Sequence, residues 1–120
     1  MKKTIAILCT LAMLFAVCMS VSASAADEQY SVGICQLVQH VALDAATQGF
    51  KDAITEKLGD RVTFDEQNAS GESVNCATIV NGFVSEGVDL ILANATPALT
   101  AARSATDTIP ILGTSITAYS

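Results

Sequence analysis

Residues 88–94 read VDLILAN, and Leu90 to Ala93 are apolar without a break. The run is too short for a buried helix and lacks the alternation of a strand with one wet face. It describes a strand covered on both sides, as in a parallel sheet with helices packed on each face. Parallel neighbours need long crossover connections, usually helices. This one run therefore dictates what must flank it.

The flanking segments meet that demand. YSVGICQLV, from Tyr30, is rich in β-branched and apolar residues and reads as a first strand. Leu43, Ala46, Phe50, Ile54 and Leu58 then recur at helical spacing, and Gly59 follows as a C-terminal cap. RVTFDEQ alternates around Val62 and Phe64 as a second strand, and NASGE is a turn. Cys76, Ile79, Val80 and Phe83 mark a second helix closed by Gly87. After VDLILAN, Thr96 reads as an N-cap with Pro97 at the first helical position, and the helical face is alanine: Ala98, Ala101, Ala102, Ala105. IPILGTS is the fourth strand, with Pro110 at its start. The order βαβαβαβ predicts an α/β fold: a doubly wound parallel sheet with right-handed crossovers.

The first residues stand outside this pattern. Met1-Lys2-Lys3 is basic, Ile5 to Met19 is apolar except for Thr10, and SVSASAAD offers small residues in A-x-A spacing at Ala23 and Ala25. This is secretory signal-peptide anatomy, so 1–25 is expected to be a leader and 26–120 an exported domain. FAVC, Phe15 to Cys18, is a poorer alternative that would put a lipid on Cys18. Loss of Lys2 and Lys3 leaves 4 basic against 12 acidic residues and moves the net charge from −6 to −8. Such a surface excludes nucleic acid as the expected partner, because phosphate contacts need clustered Lys and Arg. Cys35 and Cys76 sit on apolar strand and helix faces and read as free, buried small hydrophobes. Two cysteines and one histidine without close spacing make no metal site, and no cofactor motif is present.

Open parallel sheets bind ligands beyond the carboxyl ends of their strands. The residues expected there are Gln39, His40 and Asp44 after the first strand, and Asn68 and Ser70 after the second. Asn94, Thr96 and Pro97 follow the third, and Thr114, Ser115 and Thr117 the fourth. Amides and hydroxyls with one imidazole and one carboxylate suit a small polar molecule. Each also has a plain structural role: Asp44 favours a helix dipole, Asn68 suits a turn, and Thr96-Pro97 suits a helix start. Catalytic motifs are missing: no G-x-S-x-G, no G-x-x-x-x-G-K-[ST] and no G-x-G-x-x-G. A hydrolytic triad of Ser115, His40 and Asp44 is the weaker enzymatic alternative, since it lacks an oxyanion loop. From these residues alone, a binding cleft is the reading favoured over an enzyme.

Taken in order, VGICQLVQHVALDAATQGF, NASGE and ANATPALTAARSATDTIPILGTSIT resemble the N-terminal lobe of ABC-transporter substrate-binding proteins of the tryptophan/tyrosine type. The likeness spans Tyr30 to Ser120. It departs from the family pattern at Val41, where proline is usual, at Thr100, where glutamine is usual, and at Ala118, where aspartate is usual. The resemblance implies a type I periplasmic-binding-protein lobe with no enzymatic activity and no cofactor. It implies a small-molecule ligand such as an aromatic amino acid, and ABC permease subunits as membrane partners. His40, Asp44, Asn68, Thr96, Pro97, Thr114 and Thr117 would line its cleft. Family members are longer and carry a second lobe, so the chain reads as an N-terminal fragment. The other open reading is an exported α/β fragment that binds nothing.

Overall fold

A computed structural model describes residues 28–117. The expected leader, Cys18 and Ala118 lie outside the described residues. Four strands form one parallel sheet: β1 (Tyr30–Gln36), β2 (Val62–Asn68), β3 (Leu90–Asn94) and β4 (Ile111–Thr114), in the order β2-β1-β3-β4. Three helices connect them: α1 (Val41–Leu58), α2 (Ser73–Glu86) and α3 (Thr96–Ala105). A single 3-10 turn, Gly59–Arg61, separates α1 from β2. This is the doubly wound α/β architecture expected from the alternating pattern.

Side chains of β1 alternate between two apolar layers, as strand geometry requires. Val32 and Ile34 join Val62 and Leu92 beneath Phe50, Ile54 and Leu58 of α1. Cys35 joins Ile91 and Ala93 beneath Cys76, Val80 and Phe83 of α2 and Ala98 and Ala102 of α3. Gly33 is fixed by this second layer: a Cβ there would stand 2.5 Å from the Phe83 ring. The alanine face of α3 serves the same end, since small side chains let the helix lie close to the strands. Cys35 and Cys76 are free thiols with no exposure. Burial pushes the Cys35 thiol up to about 12, with the neighbouring Cys76 adding to the rise.

Helix ends follow the sequence signals with one correction. Gly87 ends α2 in the left-handed conformation at φ 69°, and its N–H returns to the carbonyls of Phe83 and Val84. Helix α3, however, is capped by Ala95, so Thr96 and Pro97 occupy its first two positions rather than the cap and the position after it. The reason is the tight exit from β3. Ala95 turns at φ 92°, and its N–H is held by the Thr114 carbonyl at 2.9 Å, which starts the helix one residue early.

Candidate functional site

The sheet order sets where a site belongs. From β1 the chain goes to β2 on one side, then crosses over to β3 on the other. The crevice between β1 and β3 is therefore the topological switch point, where such sheets receive ligands. The strand register adds a second fact. Gln36 pairs with Asn68 and Asn94, and Asn94 pairs with Thr114. One row of amides and a hydroxyl thus closes the carboxyl end of an otherwise apolar sheet.

Two members of that row are buried, Gln36 at 3% exposure and Asn94 at 0%, and Thr47 of α1 meets them at 2%. The Asn94 amide donates to the Leu43 carbonyl at 2.8 Å and to the Thr47 hydroxyl at 2.9 Å. Thr47 donates to Gln36 Oε1 at 2.7 Å. Gln36 Nε2 donates to the Val38 carbonyl at 2.9 Å and to Asp44 Oδ1 at 2.6 Å. Asn94 Oδ1 has no partner, the one such buried side-chain atom among the described residues.

Two hollows open at this edge, one on each side of the loop after β1. The first, about 300 Å³, lies over the switch point. Val38, His40 and Leu43 line it from one side, Ala95, Thr96 and Pro97 from the next loop, and Ser115 and Thr117 from beyond β4. The second, about 380 Å³, lies over β1 and β2 and is polar: Gln36, Gln39, Asp44, Glu66, Gln67 and Asn68. A larger groove of about 700 Å³ runs between α2 and α3 and meets the strand ends only at Thr96, Pro97 and Thr117.

The residues expected from the sequence are thus divided. His40, Thr96, Pro97 and Thr117 surround the switch-point hollow, and Asp44 and Asn68 line the other. Thr114 lines neither. His40 is the N-cap of α1, and its Nδ1 accepts from the Ala42 N–H at 3.1 Å. Thr96 Oγ1 accepts from the Thr117 N–H at 3.2 Å, tying the segment after β4 to the start of α3. Asn68 Oδ1 accepts from the Ser70 N–H, an ordinary Asx turn. The triad of Ser115, His40 and Asp44 is not assembled: the aspartate bonds Gln36, and the histidine turns to its own helix. Among the described residues no group of three His, Cys, Asp or Glu side chains is placed to hold a metal ion.

Gln36 and Thr47 escaped the sequence reading. The available signals were a glutamine ending an apolar strand and a threonine four residues after Leu43 on a helix face otherwise apolar. Strain is concentrated at the same edge. Among the described residues, the non-glycine residues with positive φ are Ser70, Ala95 and Ser115, one after each of β2, β3 and β4. Each such residue is held at a cost of about 1–3 kcal/mol, and such positions gather at ligand sites.

A parallel sheet with a strained, polar carboxyl edge and an open switch-point crevice is an arrangement that can receive a small solute. Comparison with known proteins gives the family. A family profile described as ABC transporter substrate binding protein matches residues 31–119. A tyrosine-binding protein of Clostridioides difficile (strain R20291) is 42% identical over 93 residues, covering 75% of this chain and 27% of that protein. Two solved structures superpose with TM-scores of 0.71. One is the ligand-free, open form of a substrate-binding protein with adhesive properties from Clostridium difficile, at 39% identity, covering 74% of this chain and 31% of that one. The other is an ABC domain in complex with L-Trp from Streptococcus pneumonia, at 33% identity, covering 76% and 32%. The chain belongs to the ABC transporter substrate-binding protein family. It spans about a quarter of the length of the curated relative it matches. No helix among the described residues is long and apolar enough to cross a membrane.

Proposed function

We propose that this sequence is the N-terminal lobe, residues 26–120 behind a 1–25 leader, of the extracytoplasmic solute receptor of an ABC importer. It binds and delivers its solute to the permease subunits in the membrane and catalyses nothing. The solute is an amino acid with an aromatic ring. One observation carries this reading: the switch-point hollow, in which apolar Val38, Leu43 and Pro97 stand beside the polar His40, Thr96 and Thr117. A flat ring fits against the former, and the hydroxyls and imidazole suit a carboxylate. The solute reaches across the loop after β1, so that Asp44, exposed in the polar hollow that Asn68 also lines, offers its charge to the ammonium group. The names of the relatives, which bind tyrosine and L-Trp, support the same solute class.

Calorimetry on the complete gene product, with a panel of amino acids, tests this. L-tyrosine or L-tryptophan should bind, and Asp44→Asn should weaken that binding at least about tenfold, which is 1.4 kcal/mol. A charge-assisted bond is worth ~1.5–3 kcal/mol. Loss of a helix-start charge changes stability by only ~0.3–1 kcal/mol, so the melting temperature should move little. Because such receptors close two lobes around a hinge, 26–120 alone should bind nothing measurable. Unchanged affinity in Asp44→Asn would return Asp44 to its role at the helix start, and tight binding by the isolated lobe would refute the two-lobe cleft.

A further inference from the structure

The buried amide chain has only one self-consistent direction. Its ends are backbone carbonyls, which can only accept. Because Leu43 presents a carbonyl, Asn94 must turn its NH2 that way, and its second hydrogen reaches Thr47. Thr47 therefore accepts from Asn94, and its single proton goes to Gln36 Oε1. Gln36 must then present its NH2 to the other end, where the Val38 carbonyl and the Asp44 carboxylate both accept. A flipped Gln36 amide would face two acceptors with an oxygen. From Asn94 through Thr47 and Gln36 the donors run in series to Asp44, and hydrogen bonds in such a series strengthen one another.

We infer that Gln36 is a positioning residue for Asp44: held in place by Thr47 and Asn94, it locks the carboxylate in one orientation at the binding edge, ready for the ligand's ammonium group. The inference rests on the reading of Asp44 as that group's partner. Stability alone does not explain the arrangement. The chain leaves Asn94 Oδ1 buried without a partner, and an apolar layer in its place would bury no such atom. Of the four side chains that form the chain, Asp44 is the one exposed. Its neighbours hold it without competing for all of its acceptor capacity, since the Gln36 bond uses Oδ1 alone.

The test uses the complete gene product, with L-tyrosine and its amine-free analogue 3-(4-hydroxyphenyl)propionate as probes. In the ligand-free protein, scalar couplings should show a single Asp44 χ1 rotamer that becomes averaged in Gln36→Met. Gln36→Met should weaken L-tyrosine about tenfold and leave the analogue unchanged. In an Asp44→Asn background it should have no further effect. Should Gln36→Met fail to fold, Thr47→Val serves instead, with Thr47→Ser restoring wild-type affinity. Equal loss for both probes, an Asp44 rotamer indifferent to Gln36, or additive losses in the double variant would each overturn the inference while Asp44 kept its ligand role. If Asp44→Asn leaves L-tyrosine binding intact, or if neither probe binds, the functional reading fails first and the inference with it.

Discussion

Under α2 and α3 the sheet is covered by Val80, Phe83, Ile91, Ala98 and Ala102, apolar residues in contact from the middle of the strands to their carboxyl ends. Under α1 the apolar layer stops at Ile34 and Leu92. The next row on that face carries Gln36 and Asn94, bridged by Thr47. Along β1 and β3 one face stays apolar as far as Cys35 and Ala93, and the other turns polar as it reaches the binding edge. A dry layer gains free energy from area and close packing and aims nothing at a ligand. A hydrogen-bonded layer adds little net stability but fixes directions. The protein keeps the second kind of packing where the loop after β1 must be held.

The sharpest way to break this comparison is to damage the dry face. Phe83 has no exposure, and its ring fills the space that Gly33 leaves open. Phe83→Ala should cost about 3–5 kcal/mol, the range for a buried aromatic. A small domain has only about 5–15 kcal/mol in all. Urea titration should show a midpoint lowered by a large fraction of its value, with the slope unchanged if unfolding remains two-state. A small shift would mean that α2 can settle into the gap, and that the layer is looser than the Gly33–Phe83 contact implies.

The corresponding insult on the other face is Thr47→Val, which keeps shape and removes the hydroxyl. Gln36 Oε1 and one Asn94 hydrogen lose their partner. The expected cost is about 1–3 kcal/mol, that of stranding buried polar atoms, and it should be smaller than that of Phe83→Ala in the same titration. A loss as large as that of Phe83→Ala would show that the amide chain carries the fold as much as the dry layer does. No loss would show that water or a rotated amide replaces the hydroxyl.

The apolar layers of both faces were the legible part. Continuous apolar runs, helical spacing and the two capping glycines identify strands, helices and their ends from local pattern alone. Thr47 is bonded to residues 11 and 47 positions away, and Asn94 reaches Leu43 across 51. Those partnerships arise from the register of β1 against β3, which no local pattern records. The separation of His40 from Asp44 was hidden for a related reason. His40 lies just outside the helix in extended backbone, at φ −153°, and its ring folds back on the Ala42 N–H. Asp44 lies inside the helix and is drawn toward β1 by Gln36. Four residues of helical spacing would have kept them on one face, but the cap sends them to different hollows. Thr96 was misplaced by one position because a positive φ at an alanine, Ala95, carries no sequence signal.

The smallest effect belongs to the rim of the α1 face, where Lys51 and Glu66 join α1 to β2 at 2.8 Å. Their side chains are 29% and 44% exposed, so water screens the pair, and exposed pairs contribute about 0–1 kcal/mol. Lys51 has a second attachment, since its Nζ stands 5.8 Å from the centre of the Phe64 ring. That contact should survive when Glu66 is neutralised, since Phe64 is anchored edge-on to Phe50 at 6.4 Å. Glu66→Gln should therefore shift stability by less than about 0.5 kcal/mol. Whatever difference exists should vanish near 1 M salt, where the screening length falls to about 3 Å. Thermal denaturation of both proteins at low and high salt measures it. A salt-insensitive loss above about 1 kcal/mol would mean that the pair is more shielded than its exposure indicates. The polar character of the α1 face would then extend beyond the Gln36 row along the α1–β2 seam, and the division between the two faces would follow that whole seam rather than only its binding edge.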